Sequence, residues 1–128
     1  MSATVIVVDD DPLIRTLLQH KLKAKGYRVE TYATGPEGFE AVRAMRPDAV
    51  ILDTMLGAPP SGLDVLRDLK ADPACRGIPV VMLTARQLEA DIVGALKDGA
   101  SDYVTKPFRA EELVARISRL LAARAEAA

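Results

Sequence analysis

Five short apolar segments alternate with amphipathic segments along the chain, and this pattern constrains the fold more than any other feature. Residues 4–8, 49–52 and 80–83 are almost continuously apolar, as expected of strands that are covered on both faces. Residues 28–32 alternate between polar and apolar, and residues 103–105 form a short segment, so both are typical of edge strands. Alternating strands and helices with short connections favour a parallel sheet between two layers of helices.

These patterns predict the strand order and the positions of five helices. With the continuously apolar strands at the centre, the order is 2-1-3-4-5, that of a flavodoxin-like, doubly wound α/β sheet. The first two helices begin near Pro12 and Pro36, and the others are predicted at about residues 63–70, 88–98 and 109–123. In a sheet of this order, ligands bind where strands one and three meet.

Length and composition indicate one cytoplasmic domain. Residues 1–128 are predicted to form a single domain, with the Ala-rich residues 122–128 as a tail or the start of a linker. Lys and Arg (17) nearly balance Asp and Glu (18), so the charge gives no reason to expect nucleic acid or a membrane as a direct partner. The single cysteine, and the lack of a signal peptide or a long apolar run, indicate a cytoplasmic protein.

Carboxylates follow two of the predicted strands where these strands end. Asp9 and Asp10 follow the first strand, and Asp53 follows the third. Because the carboxyl ends of parallel strands lie along one edge, these side chains are expected to meet, and clustered carboxylates repel unless a cation intervenes. Oxygen ligands without Cys or His nearby favour Mg²⁺. Asp11, directly before Pro12, is interpreted instead as a helix cap.

A lysine and a threonine end the two remaining strands at this edge. Lys106 follows the fifth strand, and its long side chain can reach toward Asp53. An ammonium beside a metal-bound carboxylate is suited to phosphoryl transfer, in which the protein positions groups and neutralises charge. Thr84 ends the fourth strand, where its hydroxyl can bond a phosphoryl oxygen or, alternatively, cap the next helix.

Taken together and in order, these residues resemble a response-regulator receiver domain, the CheY-like family of two-component signalling. The resemblance covers residues 4–121 and rests on five segments: residues 7–12, 51–53, 82–85, 99–103 and 106–108. It implies a signalling switch rather than an enzyme with its own substrate, one that catalyses only its own phosphorylation and dephosphorylation. A sensor histidine kinase or a histidine phosphotransfer protein would be the phosphoryl donor.

The resemblance also implies a metal site and a phosphoacceptor. Asp53 would accept the phosphoryl group. Asp10, Asp53 and the backbone carbonyl of Met55 would bind Mg²⁺ directly, and Asp9 would bind it through water. A cis peptide bond between Lys106 and the following proline is implied as well.

The remaining implied roles belong to the switch. Thr84 and Lys106 would hold the phosphoryl oxygens, and Tyr103 would turn inward when the domain is activated. An ordinary half-exposed aromatic on an edge strand is the alternative interpretation of Tyr103. The face formed by predicted helix four, strand five and helix five would then change shape.

One segment departs from the family pattern. The family usually has a proline four residues after the phosphoacceptor and a glycine eight residues after it. Here Gly57 occupies the first position, and Gly62 lies nine residues after Asp53. The loop at residues 56–61 is therefore expected to be one residue longer, while the Met55 carbonyl precedes the change.

Two rival functions fit the residues less well. Phosphatases of the haloacid dehalogenase type require a second aspartate two residues after the nucleophile, and Met55 stands there. A flavodoxin-like binding module needs a Ser/Thr-rich phosphate loop after the first strand, whereas acids follow it here and would repel a flavin phosphate.

Partners beyond the kinase are predicted from the last helix. This helix resembles that of receivers in winged-helix transcription factors, which dimerise through the helix-four to helix-five face, and Asp102 and Arg116 could supply one ion pair. Ile92, Lys97 and Ser118 stand where other charges are usual. The longer loop at residues 72–77 resembles instead that of stand-alone, hybrid-kinase or cyclic-dinucleotide-cyclase receivers. The prediction is therefore a monomer or weak dimer with an unknown output partner and no direct contact with nucleic acid or membrane.

Overall fold

The computed structural model describes residues 2–85, 94 and 96–127. Its sheet is parallel throughout, and the strand order is β2-β1-β3-β4-β5, which confirms the predicted order. The strands are β1 (Thr4–Val8), β2 (Arg28–Tyr32), β3 (Ala49–Asp53), β4 (Val80–Thr84) and β5 (Asp102–Thr105). The chain therefore has the predicted α/β architecture, with β1 and β3 adjacent at its centre.

Four helices accompany the sheet within the described residues. They are α1 (Pro12–Ala24), α2 (Gly35–Met45), α3 (Gly62–Ala71) and a C-terminal helix (Ala110–Ala127). The helix predicted at about residues 88–98 lies largely outside the described residues. The Ala-rich segment continues the C-terminal helix through Ala127.

Short polar side chains determine where the first three helices begin. The carboxylate of Asp11 accepts a hydrogen bond of 2.9 Å from the N–H of Leu13, which confirms its predicted capping role. Thr34 caps α2 in the same manner. Ser61 caps α3 in a reciprocal capping box, so the loop that precedes this helix ends at a defined residue.

Two apolar layers cover the sheet, one on each face. Ile6 and Val8 of β1 point to the layer that contains α2 and α3, whereas Val5 and Val7 point to the layer that contains α1 and the C-terminal helix. All four side chains are buried. Alternation along a strand covered on both faces explains why this segment is continuously apolar.

Three apolar side chains of α1 and α2 are exposed. In α1, Leu18 and Leu22 are fully buried, but Leu13 is 78% exposed and Leu17 is 40% exposed. Leu13 lies in the first turn, beyond the edge where β1 ends, so no strand covers it. Met45, in the last turn of α2, is 42% exposed. Within the described part of the chain, no helix has both the length and the apolar character needed to cross a bilayer.

Candidate phosphoacceptor and metal site

The three predicted carboxylates meet at the carboxyl edge of the sheet. Asp9 is fully buried, Asp53 is 4% exposed and Asp10 is exposed. One oxygen from each lies within 4.8 Å of the others. They meet because β1 and β3 are neighbours in register, with Val8 beside Leu52 just before the strands end.

Lys106 joins the two buried carboxylates. Its Nζ donates a hydrogen bond of 3.0 Å to Oδ2 of Asp53 and forms an ion pair, also at 3.0 Å, with Oδ2 of Asp9. The Lys106 N–H donates to the Thr84 carbonyl at 2.7 Å, which aligns the end of β5 with β4. The Lys106–Pro107 peptide bond is cis, as predicted.

Burial and charge act in opposite directions on these groups. Burial raises the pKa of Asp53 and outweighs the hydrogen bonds from Lys106 and from the Met55 N–H, which lower it. Burial alone would lower the pKa of Lys106, but its contacts with Asp9 and Asp53 outweigh this and raise it. The ammonium therefore stays charged between the two buried carboxylates.

These residues fit a magnesium ion. The ammonium of Lys106 contacts Asp9 and Asp53, and three carboxylates lie within 4.8 Å of one another. Clustered carboxylates repel, so a divalent cation bound at their oxygens would stabilise the arrangement. The cluster offers only oxygen ligands and is open to solvent at Asp10, which suits an ion that retains several waters.

The other predicted site residues lie on β4, on β5 and in the loop after β3. Thr84 is 5% exposed at the end of β4, the strand that lies beside β3. Met55 is 58% exposed at the rim, and its N–H donates to Oδ1 of Asp53 at 3.2 Å. Tyr103, on β5, is partly buried and packs against the apolar layer that contains α3.

The longer loop after β3 is held close to the site. Leu56 is buried in the core, and the Pro59–Pro60 peptide bond is cis. Gly62 lies so close to Asp53 that an added Cβ atom would overlap the Asp53 carbonyl oxygen. The extra residue therefore leaves the start of α3 in contact with the backbone of the predicted phosphoacceptor.

Two residues that were not predicted to belong to the site contact the carboxylate-bearing residues. Arg15 donates a hydrogen bond of 2.8 Å to the backbone carbonyl of Asp9. Gly57 has a φ of +80° and lies against the side chain of Asp10. The departure from the family pattern at Gly57 was a usable signal, whereas nothing in the sequence distinguishes Arg15 from other polar residues of a surface helix.

The strand order and the lysine–aspartate cluster are those of a CheY-like receiver. Residues 5–118 match the response regulator receiver domain family, and the chain belongs to that family. Receiver domains of this family are signalling domains, in which phosphorylation of an aspartate and binding of Mg²⁺ are general.

Similar proteins include regulators named for DNA binding and transcription. The DNA-binding response regulator MtrA of Mycolicibacterium smegmatis is 44% identical over 117 residues, which are 91% of this chain and 50% of that protein. The phosphate regulon transcriptional regulatory protein PhoB of Rhizobium meliloti is 39% identical over 121 residues, 94% of this chain and 53% of that protein. The chain thus spans about half the length of these curated relatives.

A solved structure with magnesium shares the fold. The receiver domain of the sensor histidine kinase PA1611 from Pseudomonas aeruginosa PAO1 has magnesium coordinated in its active-site cleft. It superimposes with a TM-score of 0.85 at 30% identity, over 95% of this chain and 99% of that chain.

The predicted exclusion of nucleic acid is wrong. Regulators named for DNA binding and transcriptional regulation match more than nine tenths of this chain. The prediction relied on the balanced charge of 128 residues, but such a sequence spans only about half of these relatives. Balanced charge over 128 residues therefore does not exclude DNA as a partner.

Asp102 and Arg116, which could supply an ion pair between two copies, contact each other within one chain. Arg116 contacts Asp102 at 2.7 Å and Glu112 at 3.0 Å. Ser118, where a charge is usual, instead shares a hydrogen bond of 2.7 Å with the hydroxyl of Tyr27. The C-terminal helix thus uses these side chains to pack against its own domain.

Proposed function

We propose that Asp53 is the phosphoacceptor of this receiver and that its phosphorylation controls a DNA-binding output. The observation that carries the proposal is the position of the Lys106 ammonium, 3.0 Å from a carboxylate oxygen of both Asp53 and Asp9. A lysine held between two buried acids is suited to stabilising negative charge that develops on a group transferred to one of them.

The chemical step is a transfer from phosphohistidine to aspartate. A carboxylate oxygen of Asp53 attacks the phosphorus, a P–O bond forms, and the P–N bond to the imidazole breaks. The imidazole nitrogen retains the electron pair of that bond and then takes up a proton from solvent. Met55 N–H already holds one Asp53 oxygen, which orients the carboxylate.

The proposed metal ligands are those that the family resemblance implies. Asp10, Asp53 and the Met55 carbonyl would hold Mg²⁺ directly, and Asp9 would hold it through water. Bound there, the ion would neutralise charge on the phosphoryl oxygens. The approach of one oxygen from each of Asp9, Asp10 and Asp53 to within 4.8 Å of the others supports this assignment.

The switch is proposed to pass through Thr84 and Tyr103. The Thr84 hydroxyl would move to bond a phosphoryl oxygen, and Tyr103 would turn further inward toward the apolar layer that it already contacts. Because the two strands are paired, movement at the end of β4 changes the face that β5 presents.

The wider role rests on the relatives. We propose that residues 1–128 act as one receiver domain, with residues 122–128 leading from it, in a cytoplasmic regulator. Control of DNA binding is proposed because MtrA and PhoB are named for DNA binding and transcriptional regulation. The domain would catalyse only its own phosphorylation and dephosphorylation.

Acetyl phosphate with Mg²⁺ tests the phosphoacceptor. Intact-mass analysis is expected to show one phosphoryl adduct on the wild-type chain and none on Asp53→Asn. Asp68→Asn serves as the matched control, since Asp68 is an exposed acid on α3, and it should retain the adduct. Sustained hydrolysis of acetyl phosphate without any adduct would contradict the proposal and favour a phosphatase.

A further inference from the structure

The three carboxylates of the cluster are not held in the same way. Oδ1 of Asp9 accepts a hydrogen bond from the N–H of Asp11 at 2.9 Å, and Oδ1 of Asp53 accepts one from the N–H of Met55 at 3.2 Å. For Asp10, no donor among residues 2–85, 94 and 96–127 reaches the carboxylate. Its position therefore depends on the atoms that pack beside it.

Gly57 lies beside the Asp10 carboxylate. A Cβ atom added to Gly57 would lie 3.2 Å from Oδ2 of Asp10, which is closer than ordinary van der Waals contact. The φ of +80° at Gly57 is also in the left-handed region that residues with side chains rarely adopt. Both features favour glycine at this position.

We infer that Gly57 is a positioning residue for the metal site, and this inference rests on the proposed role of Asp10 as a ligand. Without a side chain, Gly57 leaves the space into which the Asp10 carboxylate extends. The Asp10 oxygen can then lie within 4.8 Å of the Asp9 and Asp53 oxygens.

The loop cannot easily move away from Asp10, because it is held on both sides of Gly57. Leu56, directly before it, is buried in the core. Pro60 packs against the start of α2, where a Cβ atom on Gly35 would lie 3.0 Å from the Pro60 carbonyl oxygen. The N–H of Gly62 donates to the Thr54 carbonyl at 2.9 Å. The Asp10 carboxylate is not held by hydrogen bonds from the described residues. A side chain at position 57 therefore displaces this carboxylate rather than the loop.

Gly57→Ala tests the inference, with Gly26→Ala as its control. Gly26 has a similar φ of +90°, but a Cβ atom there meets nothing within 4 Å. Both substitutions should therefore lower the unfolding temperature in Mg²⁺-free buffer through backbone strain. Only Gly57→Ala is expected to weaken Mg²⁺ binding to the unphosphorylated chain, by about tenfold in titration calorimetry.

The outcomes separate this inference from the proposed function. If Gly57→Ala binds Mg²⁺ as tightly as the wild type, the inference is wrong, and the proposed phosphoacceptor stands. Equal weakening by Gly26→Ala would also overturn it, because strain alone would then explain the effect. A wild-type chain that does not bind Mg²⁺ would reject both.

A second variant tests the inference if Gly57→Ala does not fold. Asparagine tolerates the left-handed region better than alanine, so Gly57→Asn adds a Cβ atom with less backbone strain. It is expected to fold and still to bind Mg²⁺ more weakly than the wild type. Wild-type affinity in a folded Gly57→Asn chain would overturn the inference.

Discussion

Gly62 lies directly against the carbonyl oxygen of Asp53, so that a side chain at the start of α3 would overlap the backbone at the end of β3. Because the overlap is with backbone atoms, no change of rotamer relieves it. Gly62→Ala is therefore expected to lower the free energy of unfolding by about 3 kcal/mol, as for an overpacked core site. Urea unfolding measures the loss. Gly77→Ala, where a Cβ atom meets nothing within 4 Å, is the control, and equal stability of the two variants would contradict the prediction.

Removal of the Lys106 charge is expected to destabilise the Mg²⁺-free protein. Lys106→Met leaves the buried carboxylates of Asp9 and Asp53 facing each other without their shared cation. Breaking a buried ion pair in this way costs about 3 kcal/mol. Urea unfolding at neutral pH measures the loss, and Lys23→Met, at an exposed position on α1, should change stability little. Equal stability of the two lysine variants would show that the ion pairs of Lys106 do not stabilise the folded protein.

The raised pKa of Asp53 predicts how the effect of Asp53→Asn on stability changes with pH. Because burial raises this pKa in the folded state, Asp53 contributes stability below its unfolded pKa of about 3.9, and this contribution is lost as the pH rises through the folded pKa. Without Mg²⁺, Asp53→Asn should therefore become more stable relative to the wild type as the pH rises from 3 toward 7. Chemical unfolding across this range measures the difference. A difference that stays constant across this range for Asp53→Asn would refute the prediction.

The sheet and most of the site could be predicted because they depend on local patterns. Continuous apolar segments identify central strands, and polar residues that follow parallel strands must meet at one edge. These two rules place Asp9, Asp53 and Lys106 together without knowledge of any loop. The cap at Asp11 follows from an equally local pattern, an aspartate before a proline.

Three other features could not be predicted, because they depend on the conformation of loops, on where the sheet stops covering a helix, or on a single hydrogen bond to the backbone. The contact between Gly57 and Asp10 requires the conformation of the loop after β3, which one extra residue alters. Leu13 has the spacing of a buried residue, but its turn extends past the edge of the sheet. The hydrogen bond from Arg15 to a backbone carbonyl leaves no pattern in the sequence.

Leucine-to-alanine substitutions on the two sides of α1 should have different effects on stability. Leu22 is fully buried on the side of α1 that faces the sheet. Leu22→Ala is therefore expected to lower the free energy of unfolding by about 3 kcal/mol, because apolar burial is lost and a cavity forms. Leu13, 78% exposed on the same helix, should tolerate the same change within about 0.5 kcal/mol. Urea unfolding of both variants provides the measurement. A large loss at Leu13 would mean that its side chain is packed in solution.

The C-terminal helix is anchored near its end by one arginine. The guanidinium of Arg124 donates to the Asp48 carbonyl at 2.8 Å and to the Pro47 carbonyl at 3.3 Å, and the Asp48 carboxylate in turn accepts the N–H of Thr4 at 2.8 Å. These contacts join the last turns of the helix to the amino-terminal edge of the sheet.

Loss of this anchor should therefore act locally. Arg124→Ala is expected to change the free energy of unfolding by less than about 1 kcal/mol, because the side chain is partly exposed. Amide hydrogen exchange in the last two turns should nevertheless become faster, since the ends of helices open first where tertiary contacts are few. Arg119→Ala, at an exposed position on the same helix, is the matched control and should leave that exchange unchanged. Equal exchange in the two variants would show that the Arg124 contacts do not hold the helix end in solution.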